Sequence, residues 1–202
     1  MKLRRMAFLG EDSEKIKQII DICKEARENG MKVLVFSFFK TDVLYRLREL
    51  VPNTASDILS GDLSPARRQE VIDEFSQDSN QTVLLAQIEA GGVGLNIQSA
   101  NIVILCEPQW KPSTEQQAIS RVYRMGQTRD VLVYRLLTKD SIDEPIMALI
   151  HQKEVEFDKY AKESLVADAF VASEKMTEKE VQSKIIEIER NRISERKKKN
   201  IA

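Results

Sequence analysis

The 202-residue chain has little of several residue types that commit a protein to a particular class. Its two cysteines, Cys23 and Cys106, lie in apolar surroundings, and with a single histidine they argue against a disulfide framework or a zinc cluster. Basic and acidic residues nearly cancel, 31 against 32, so no global basicity points to nucleic acid. No apolar run reaches the roughly 18 residues of a transmembrane helix. These absences predict a soluble, cytoplasmic protein without membrane contact.

Several catalytic signatures are missing as well. No glycine is followed by lysine, so the chain has no GxxxxGK[ST] loop to cradle phosphates. His151 falls on a predicted helix without a partner at ligand spacing, and no Ser/His/Asp or Cys/His arrangement can be assembled. Asp143 and Glu144 superficially begin a DExx box, but they follow TKDS at a helix start, and we interpret them as capping residues.

What the chain does have is a regular alternation of strand and helix patterns. Short β-branched runs predict strands at VLVFSF, DILS, TVLLAQ, NIVILC and VLVYRL. Helical periodicity predicts helices at SEKIKQIIDICKEAREN, TDVLYRLREL, SPARRQEVIDEF and STEQQAISRVYRM. The expected N-caps of the last three are Thr41, Ser64 and Ser113. The alternation predicts an α/β fold with a doubly wound, mainly parallel sheet flanked by helices.

The character of the chain changes toward its end. The segment SEKMTEKEVQSKIIEIERNRISERKKKN has no glycine or proline, few strand formers and a basic end. We therefore predict one domain over residues 1–165 and a charged helical tail over residues 166–202. A solvated helix and a helix that docks an oligomer or protein partner both fit this tail.

A glycine-rich segment follows the predicted strand TVLLAQ. Three of the seven glycines, Gly91, Gly92 and Gly94, lie there. In a doubly wound sheet, ligands bind beyond the carboxyl ends of the strands, and glycine lets backbone N–H groups approach a phosphate closely. A tight turn needed only for packing explains the same pattern.

Two arginines share a predicted helix face in QQAISRVYRMGQ. At 100° per residue, Gln117, Arg121 and Arg124 lie within about 60° of one another. Two guanidiniums one turn apart repel each other unless an anion or carboxylate shares the site. On spacing alone, a solvated helix face explains this pair at least as well as a binding site does.

The order of four segments resembles a known family. KVLVFSFF, LSGDLSPARRQEVIDEF, AGGVGLNIQSANIVILCEPQWKP and QQAISRVYRMGQTRDVLVYRL are similar to the second RecA-like lobe of Swi/Snf-family ATPases, in helicase superfamily 2. The similarity runs over about residues 12–165. It implies a RecA-like sheet with a C-terminal helical extension.

The resemblance implies a nucleotide-facing role for two segments. AGGVGLN corresponds to helicase motif V, and QQAISRVYRMGQ corresponds to motif VI. The residues implied to bind the nucleotide are Gly92, Gly94, Asn96, Gln117 and Gln127. Arg121 and Arg124 would be the catalytic residues, acting as arginine fingers toward the γ-phosphate of ATP.

A second set of residues is implied to face DNA. KVLVFSFF corresponds to motif IV, with Ser37 placed to meet a DNA phosphate. Gly61 and Arg68 match the segment that follows motif IV, and Gly91 begins the glycine run. We therefore assign Ser37, Arg68 and Gly91 to DNA binding.

The function implied is that of the C-terminal lobe of an ATP-dependent double-stranded DNA translocase or remodeller. ATP with Mg²⁺ would be held mainly by a first RecA-like lobe of the same protein. The implied partners are that first lobe, double-stranded DNA and a protein docked on the tail, and in a bacterium the protein would be nucleoid-associated. Because the Walker A and DExx motifs are missing, we expect the chain by itself not to hydrolyse ATP.

Two other functions fit parts of the sequence. A non-catalytic interaction module could keep the lobe fold and dock a partner through its basic end, residues 190–199, although such a module has no need of the arginine pair. A small nucleotide-binding regulator could use AGGVG as its phosphate loop, but it would lack both Walker A and an acidic residue for the ribose.

Overall fold

The computed structural model describes residues 2–10, 13–89, 95–123 and 129–152, and five tail residues at 183, 186, 187, 190 and 191. The helices are α1 Lys2–Leu9, α2 Glu14–Glu28, α3 Tyr45–Leu50, α4 Pro65–Gln77 and α5 Pro112–Ile119, and a sixth, α6, covers residues 143–152. The strands are β1 Val33–Ser37, β2 Val83–Gln87, β3 Ile102–Leu105 and β4 Leu132–Arg135. Within this described part, no helix combines the length and the apolar character that a membrane crossing requires.

The chain divides into two compact units. One contains Met1–Pro108 and Ser113–Leu137, and the other contains Gln109–Pro112 and Thr138–Ala202. The second unit has its own small core, in which Trp110 packs with Ile142, Ile146 and Ile150. The predicted boundary between residues 165 and 166 lies outside the described residues and stays a prediction.

The four strands form one parallel sheet in the order β2-β1-β3-β4. This arrangement confirms the predicted mainly parallel α/β sheet. The predicted strand DILS, in contrast, forms only one isolated bridge, Leu59 to Ala86, and a second isolated bridge, Thr54 to Val83, lies just before it. Between these bridges the side chains of Ser56 and Asp57 bind Arg67 on α4.

Both faces of the sheet are covered, which explains why its strands are nearly continuous apolar runs. Val33 and Val35 of β1 belong to a core with residues of α1, α2 and α3. Leu34 and Phe36 point to the opposite face and belong to a core with residues of α4 and α5. The sheet is therefore the middle layer of a three-layer unit.

The helix starts follow local capping chemistry only in part. Ser64 is the N-cap of α4 as predicted, with its side chain accepting the Arg67 N–H at 3.2 Å and Pro65 at the first helical position. The predicted cap at Thr41 is wrong, because a π-helical turn, Lys40–Leu44, starts one residue earlier and leads into α3 without a side-chain cap. The predicted cap at Ser113 is also wrong, since α5 begins at Pro112, whose fixed φ suits the first helical position.

We expect Ser64→Ala to lower the free energy of unfolding by about 1 kcal/mol, because the variant leaves the Arg67 N–H without its acceptor. Urea denaturation of the 202-residue chain measures this change. The matched control is Ser79→Ala, an exposed serine in the turn after α4 that should change stability by less than about 0.5 kcal/mol. Equal stabilities for the two variants would contradict the capping role.

Candidate functional site

The carboxyl ends of β1 and β3 meet at a buried polar contact. Ser37 ends β1, Glu107 lies two residues after β3, and neither has exposed surface. Ser37 Oγ donates to Glu107 Oε2 at 3.0 Å, and the Phe38 N–H donates to Oε1 at 2.6 Å. Ser37 Oγ also accepts the Phe39 N–H at 3.0 Å. One carboxylate thus fixes the turn that leaves β1.

This contact corrects the interpretation of Ser37. The family resemblance implies that its hydroxyl meets a DNA phosphate. In the structure the hydroxyl is buried and directed at the Glu107 carboxylate, whose charge would repel a phosphate at short range. Ser37 therefore holds the turn after β1, and this arrangement does not offer it to DNA.

The Cys106–Pro108 segment, directly after β3, is held from three other elements. Lys15 of α2 is buried, and its Nζ donates to the carbonyls of Cys106 at 3.1 Å and Leu136 at 2.9 Å. Glu107 binds the turn after β1, and the Arg4 guanidinium of α1 donates to the Pro108 carbonyl. Lysine and arginine are rarely this buried without polar partners, and here main-chain carbonyls supply them.

The two cysteine thiols of the chain are in environments that make them unreactive. Burial raises the pKa of Cys23 to about 12. Burial, and then the nearby Glu107 carboxylate, raises the pKa of Cys106 well above its usual value. Because the reactive form of cysteine is the thiolate, neither residue is a suitable nucleophile at neutral pH.

Ile97, the residue directly after the AGGVGLN segment, is bound to the turn after α5. The Ile97 N–H donates to the Arg121 carbonyl at 3.1 Å. Ile97, Ala118 and Val122 are buried in the same core cluster. Asn96 is exposed, and its Nδ2 donates to Gln98 Oε1 at 3.2 Å. A displacement of Ile97 would therefore be transmitted to the turn that contains Arg121, through both the hydrogen bond and the shared core.

Helix α5 is shorter than predicted and ends before the arginines. It stops at Ile119, and Arg121 lies in the turn that follows. Ser120 Oγ donates to the Gln117 carbonyl at 2.9 Å, taking the acceptor that a continuing helix would offer to the Arg121 N–H. The shared helical face predicted for Gln117 and Arg121 is therefore wrong, although Gln117 is exposed on α5.

Arg121 has an unusual electrostatic environment. Its Nε and Nη1 are buried, and neither has a hydrogen-bond partner among the described residues. Burial also lowers the pKa of this guanidinium. A guanidinium has five N–H donors and no acceptor, and a buried charge is unfavourable unless it is paired. The oxygens of an anion such as a phosphate are the partners that these donors fit.

The body of α5 is anchored to β4. Glu115 is buried, and its Oε2 accepts from Arg135 Nε at 2.7 Å. This ion pair joins the helix that carries Gln117 to the edge strand of the described sheet. It fixes α5 six residues before Arg121.

Arg68, which the resemblance assigns to DNA binding, lies in a second cluster of polar contacts. Arg68 Nη2 donates to the Gly61 carbonyl at 3.2 Å, and Arg68 Nε is buried without a partner in the described part of the chain. Nearby in the sequence, Lys40 forms an ion pair with Asp62, and this contact raises the pKa of Lys40 and lowers that of Asp62. The structure thus brings Gly61 and Arg68 together, as their match to one family segment suggests.

Five predicted site residues lie outside the described ranges: Gly91, Gly92, Gly94, Arg124 and Gln127. Their roles stay predictions. Asp143 and Glu144 are described, and their carboxylates accept the N–H groups of Thr138 and Asp140 in the turn before α6. The Asp143 N–H itself donates to Ser141 Oγ at 3.1 Å, which agrees with the interpretation of this segment as a capped helix start. Where side chains are described, no group of three His, Cys, Asp or Glu residues could hold a metal ion.

The sequence did not reveal the roles of Arg4, Lys15, Glu107 and Glu115. Glu107 carried a usable signal, because an acidic residue directly after an apolar strand lies at the ligand-binding edge of a parallel sheet. Lys15 and Glu115 occur in predicted helices, in which charged residues are normally solvated, and Arg4 precedes the first predicted helix.

Comparison with known proteins gives the same family as the motifs. The model of the helicase conserved C-terminal domain matches residues 14–126. The ATP-dependent helicase fft1 of Schizosaccharomyces pombe is 42% identical over 146 residues, which are 70% of this chain and 15% of that protein. A crystal structure of the C-terminal part of the Fun30 ATPase domain superposes with a TM-score of 0.71 at 29% identity, covering 91% of this chain and 55% of the other.

A second solved structure, the Sulfolobus solfataricus SWI2/SNF2 ATPase core domain, has a TM-score of 0.59 at 28% identity, over 82% of this chain and 35% of that one. The chain spans only 11% to 16% of the length of the curated relatives it matches. The fold, the motif order and these similarities agree: the chain belongs to the helicase conserved C-terminal domain family and is the second RecA-like lobe of a Swi/Snf-type ATPase.

Proposed function

We propose that this lobe completes the ATP site of a double-stranded DNA translocase by supplying arginine fingers to ATP bound on a first RecA-like lobe. The observation that carries the proposal is the Arg121 guanidinium, with two buried N–H donors that lack an acceptor among the described residues. A γ-phosphate presented by the first lobe would supply oxygen acceptors and negative charge to those donors.

The chemical contribution of Arg121 is electrostatic. In phosphoryl transfer, charge spreads over the oxygens of the transferring group, and a fixed guanidinium stabilises that charge without reorganising. Arg124, by its place in motif VI, is the second proposed finger. Gln117, Gln127, Gly92, Gly94 and Asn96 are the proposed nucleotide-facing residues. We place Mg²⁺ on the first lobe.

The proposed link between ATP and DNA is the contact between Arg121 in motif VI and Ile97, the residue directly after motif V. Because the Ile97 N–H binds the Arg121 carbonyl, a displacement of the proposed finger would be transmitted to Ile97. Arg68, whose Nε lacks a partner in the described structure, is the proposed contact to a DNA phosphate. Each cycle of lobe closure and opening would then advance the protein along the DNA backbone with little readout of base sequence.

The test compares three preparations: this chain, the separate first lobe, and the two-lobe protein in which the lobes are joined in natural order. We expect ATP hydrolysis at background level from each single lobe and hydrolysis stimulated by double-stranded DNA from the two-lobe protein. Displacement of a third strand from a DNA triplex measures translocation.

Two results would overturn the proposal. One is a two-lobe protein whose ATP hydrolysis does not respond to double-stranded DNA. The other is hydrolysis by this chain alone at the rate of the joined protein, since the chain has no Walker A loop.

A further inference from the structure

Helix α1 contributes a buried arginine to the edge of the sheet at which β1 and β3 end. The helix precedes residues 14–126, the region that matches the helicase family model. Arg4 is only 1% exposed and is among the largest fully buried side chains in the described structure. Burying a guanidinium is costly unless it is bound by polar groups, so this position requires a specific local arrangement.

Arg4 contacts the chain after two different strands. Its guanidinium donates to the carbonyl of Pro108, after β3, and lies 5.8 Å from the ring centroid of Phe39, after β1. Cation–π stacking and a charge-assisted hydrogen bond both favour this placement. Arg4 therefore binds the two turns that also meet at the Ser37–Glu107 contact.

Helix α1 is itself firmly attached at its carboxyl end. Ser13 Oγ donates to the Ala7 carbonyl at 2.6 Å. Arg46 of α3 donates to the carbonyls of Phe8 and Gly10, the latter at 2.7 Å. These hydrogen bonds fix the carboxyl end of the helix that carries Arg4.

The Pro108 carbonyl lies close in the chain to the finger. Only residues 109–111 separate Pro108 from the start of α5, and Arg121 lies two residues beyond the end of that helix. A chain advances at most about 3.6 Å per residue. Because the connection is so short, a displacement of Pro108 would also displace the start of α5. This short connection starts from the Cys106–Pro108 segment, which is fixed at each of its residues. Lys15 binds the Cys106 carbonyl, Arg4 binds the Pro108 carbonyl, and the Glu107 carboxylate accepts the Phe38 N–H.

We propose that Arg4 is a positioning residue for Arg121: by fixing the Pro108 carbonyl, it sets where α5 begins and therefore where the finger lies. This inference rests on the proposed function, because it gives Arg4 an effect on ATP hydrolysis through Arg121. A misplacement of about 1 Å at a catalytic group can cost on the order of 100-fold in rate.

Arg5 provides a matched control on the same helix. It forms an ion pair with Asp42 at 2.9 Å, and both side chains are about one-third exposed, 37% and 31%. Exposed pairs of this kind contribute little to stability, and among the described residues Arg5 binds Asp42 and not the Cys106–Pro108 segment. Arg4→Met and Arg5→Met therefore remove the same functional group at neighbouring positions with different contacts.

The experiment measures DNA-stimulated ATP hydrolysis of the two-lobe protein below the unfolding temperature of every variant. We expect Arg4→Met to lower kcat by about 30- to 100-fold with the KM for ATP changed less than about twofold, and Arg5→Met to leave both unchanged. Arg4→Lys keeps one charged donor and should lose only about tenfold. If Arg4→Met does not fold, the same measurements on Arg4→Lys decide the question.

The decisive comparison is a double-mutant cycle with Arg121→Ala. If Arg4 acts through Arg121, then adding Arg4→Met to Arg121→Ala lowers kcat no further. Additive losses, or an Arg4 variant as active as Arg5→Met, would overturn the positioning role. Failure of the proposed function looks different, since Arg121→Ala itself would then leave hydrolysis unchanged.

Discussion

Arg121→Ala in the two-lobe protein is expected to lower kcat for DNA-stimulated ATP hydrolysis by about 10³- to 10⁵-fold. The KM for ATP should change far less, because a finger that acts on charge developed during transfer contributes mainly to the transition state. Single-turnover hydrolysis of radiolabelled ATP with saturating double-stranded DNA measures the chemical step separately from product release.

Two variants separate charge from geometry in this prediction. Arg121→Lys keeps the charge but loses the planar fork, so we expect it to recover only a small part of the lost rate. Arg27→Ala is the matched control, because Arg27 is an exposed arginine in the last turn of α2 and has no proposed role in the site. An Arg121→Ala protein within about threefold of the control would contradict the finger assignment.

The stability of the same variant gives an independent prediction. The Arg121 Nε and Nη1 gain no hydrogen bond from the described residues, and burial lowers the pKa of the group. Removing it should therefore leave the Tm of this chain unchanged within about 2 °C, or raise it. A loss of activity without a loss of Tm distinguishes a binding arginine from one that holds the fold.

The positions of the four strands and their burial on both faces followed from local patterns. Apolar runs such as VLVFSF predicted strands buried on both faces, and the structure places Val33 and Leu34 in opposite cores. Ser64 followed by Pro65 predicted the start of α4, because the cap and the first turn depend only on neighbouring residues. Features that depend on a few consecutive residues were therefore predictable.

The features that could not be predicted from the sequence depend on contacts between residues that are far apart in the chain. Ser37 was predicted to face DNA, but its direction depends on Glu107, 70 positions away. Arg4 and Lys15 were not identified from the sequence, because their partners lie 104, 91 and 121 positions along the chain. Periodicity predicts which face of a helix is apolar, but it does not predict which carbonyl group a long lysine or arginine side chain reaches.

The end of α5 shows how one side chain overrides a pattern. The spacing of Gln117 and Arg121 predicted a continuous helix, but Ser120 binds the Gln117 carbonyl and the helix stops at Ile119. The shared helix face was predicted from spacing, whereas the finger role of Arg121 comes from the family resemblance and stays a proposal. The structural observation that supports this role is the pair of buried donors without an acceptor among the described residues, and not a position on a helix face.

Glu107→Ala is expected to lower the free energy of unfolding of the 202-residue chain by about 3 kcal/mol or more. The variant removes the acceptor of the Ser37 hydroxyl and the Phe38 N–H and leaves a cavity at a fully buried position. Glu107→Gln keeps one oxygen acceptor and the volume of the side chain, so it should cost clearly less. The urea midpoint of each variant measures the change.

Glu28→Ala is the control for this loss, because Glu28 is an exposed glutamate at the end of α2 and should change stability by less than about 0.5 kcal/mol. A double-mutant cycle then tests the contact itself. Once Glu107 is alanine, Ser37→Ala removes a buried hydroxyl that has lost its acceptor, so the double variant should be more stable than the sum of the single losses predicts. Strict additivity would mean that the Ser37–Glu107 hydrogen bond does not hold the turn after β1. A positive coupling of about 1 kcal/mol would establish the contact in solution, at the edge of the sheet from which the chain leads to Arg121.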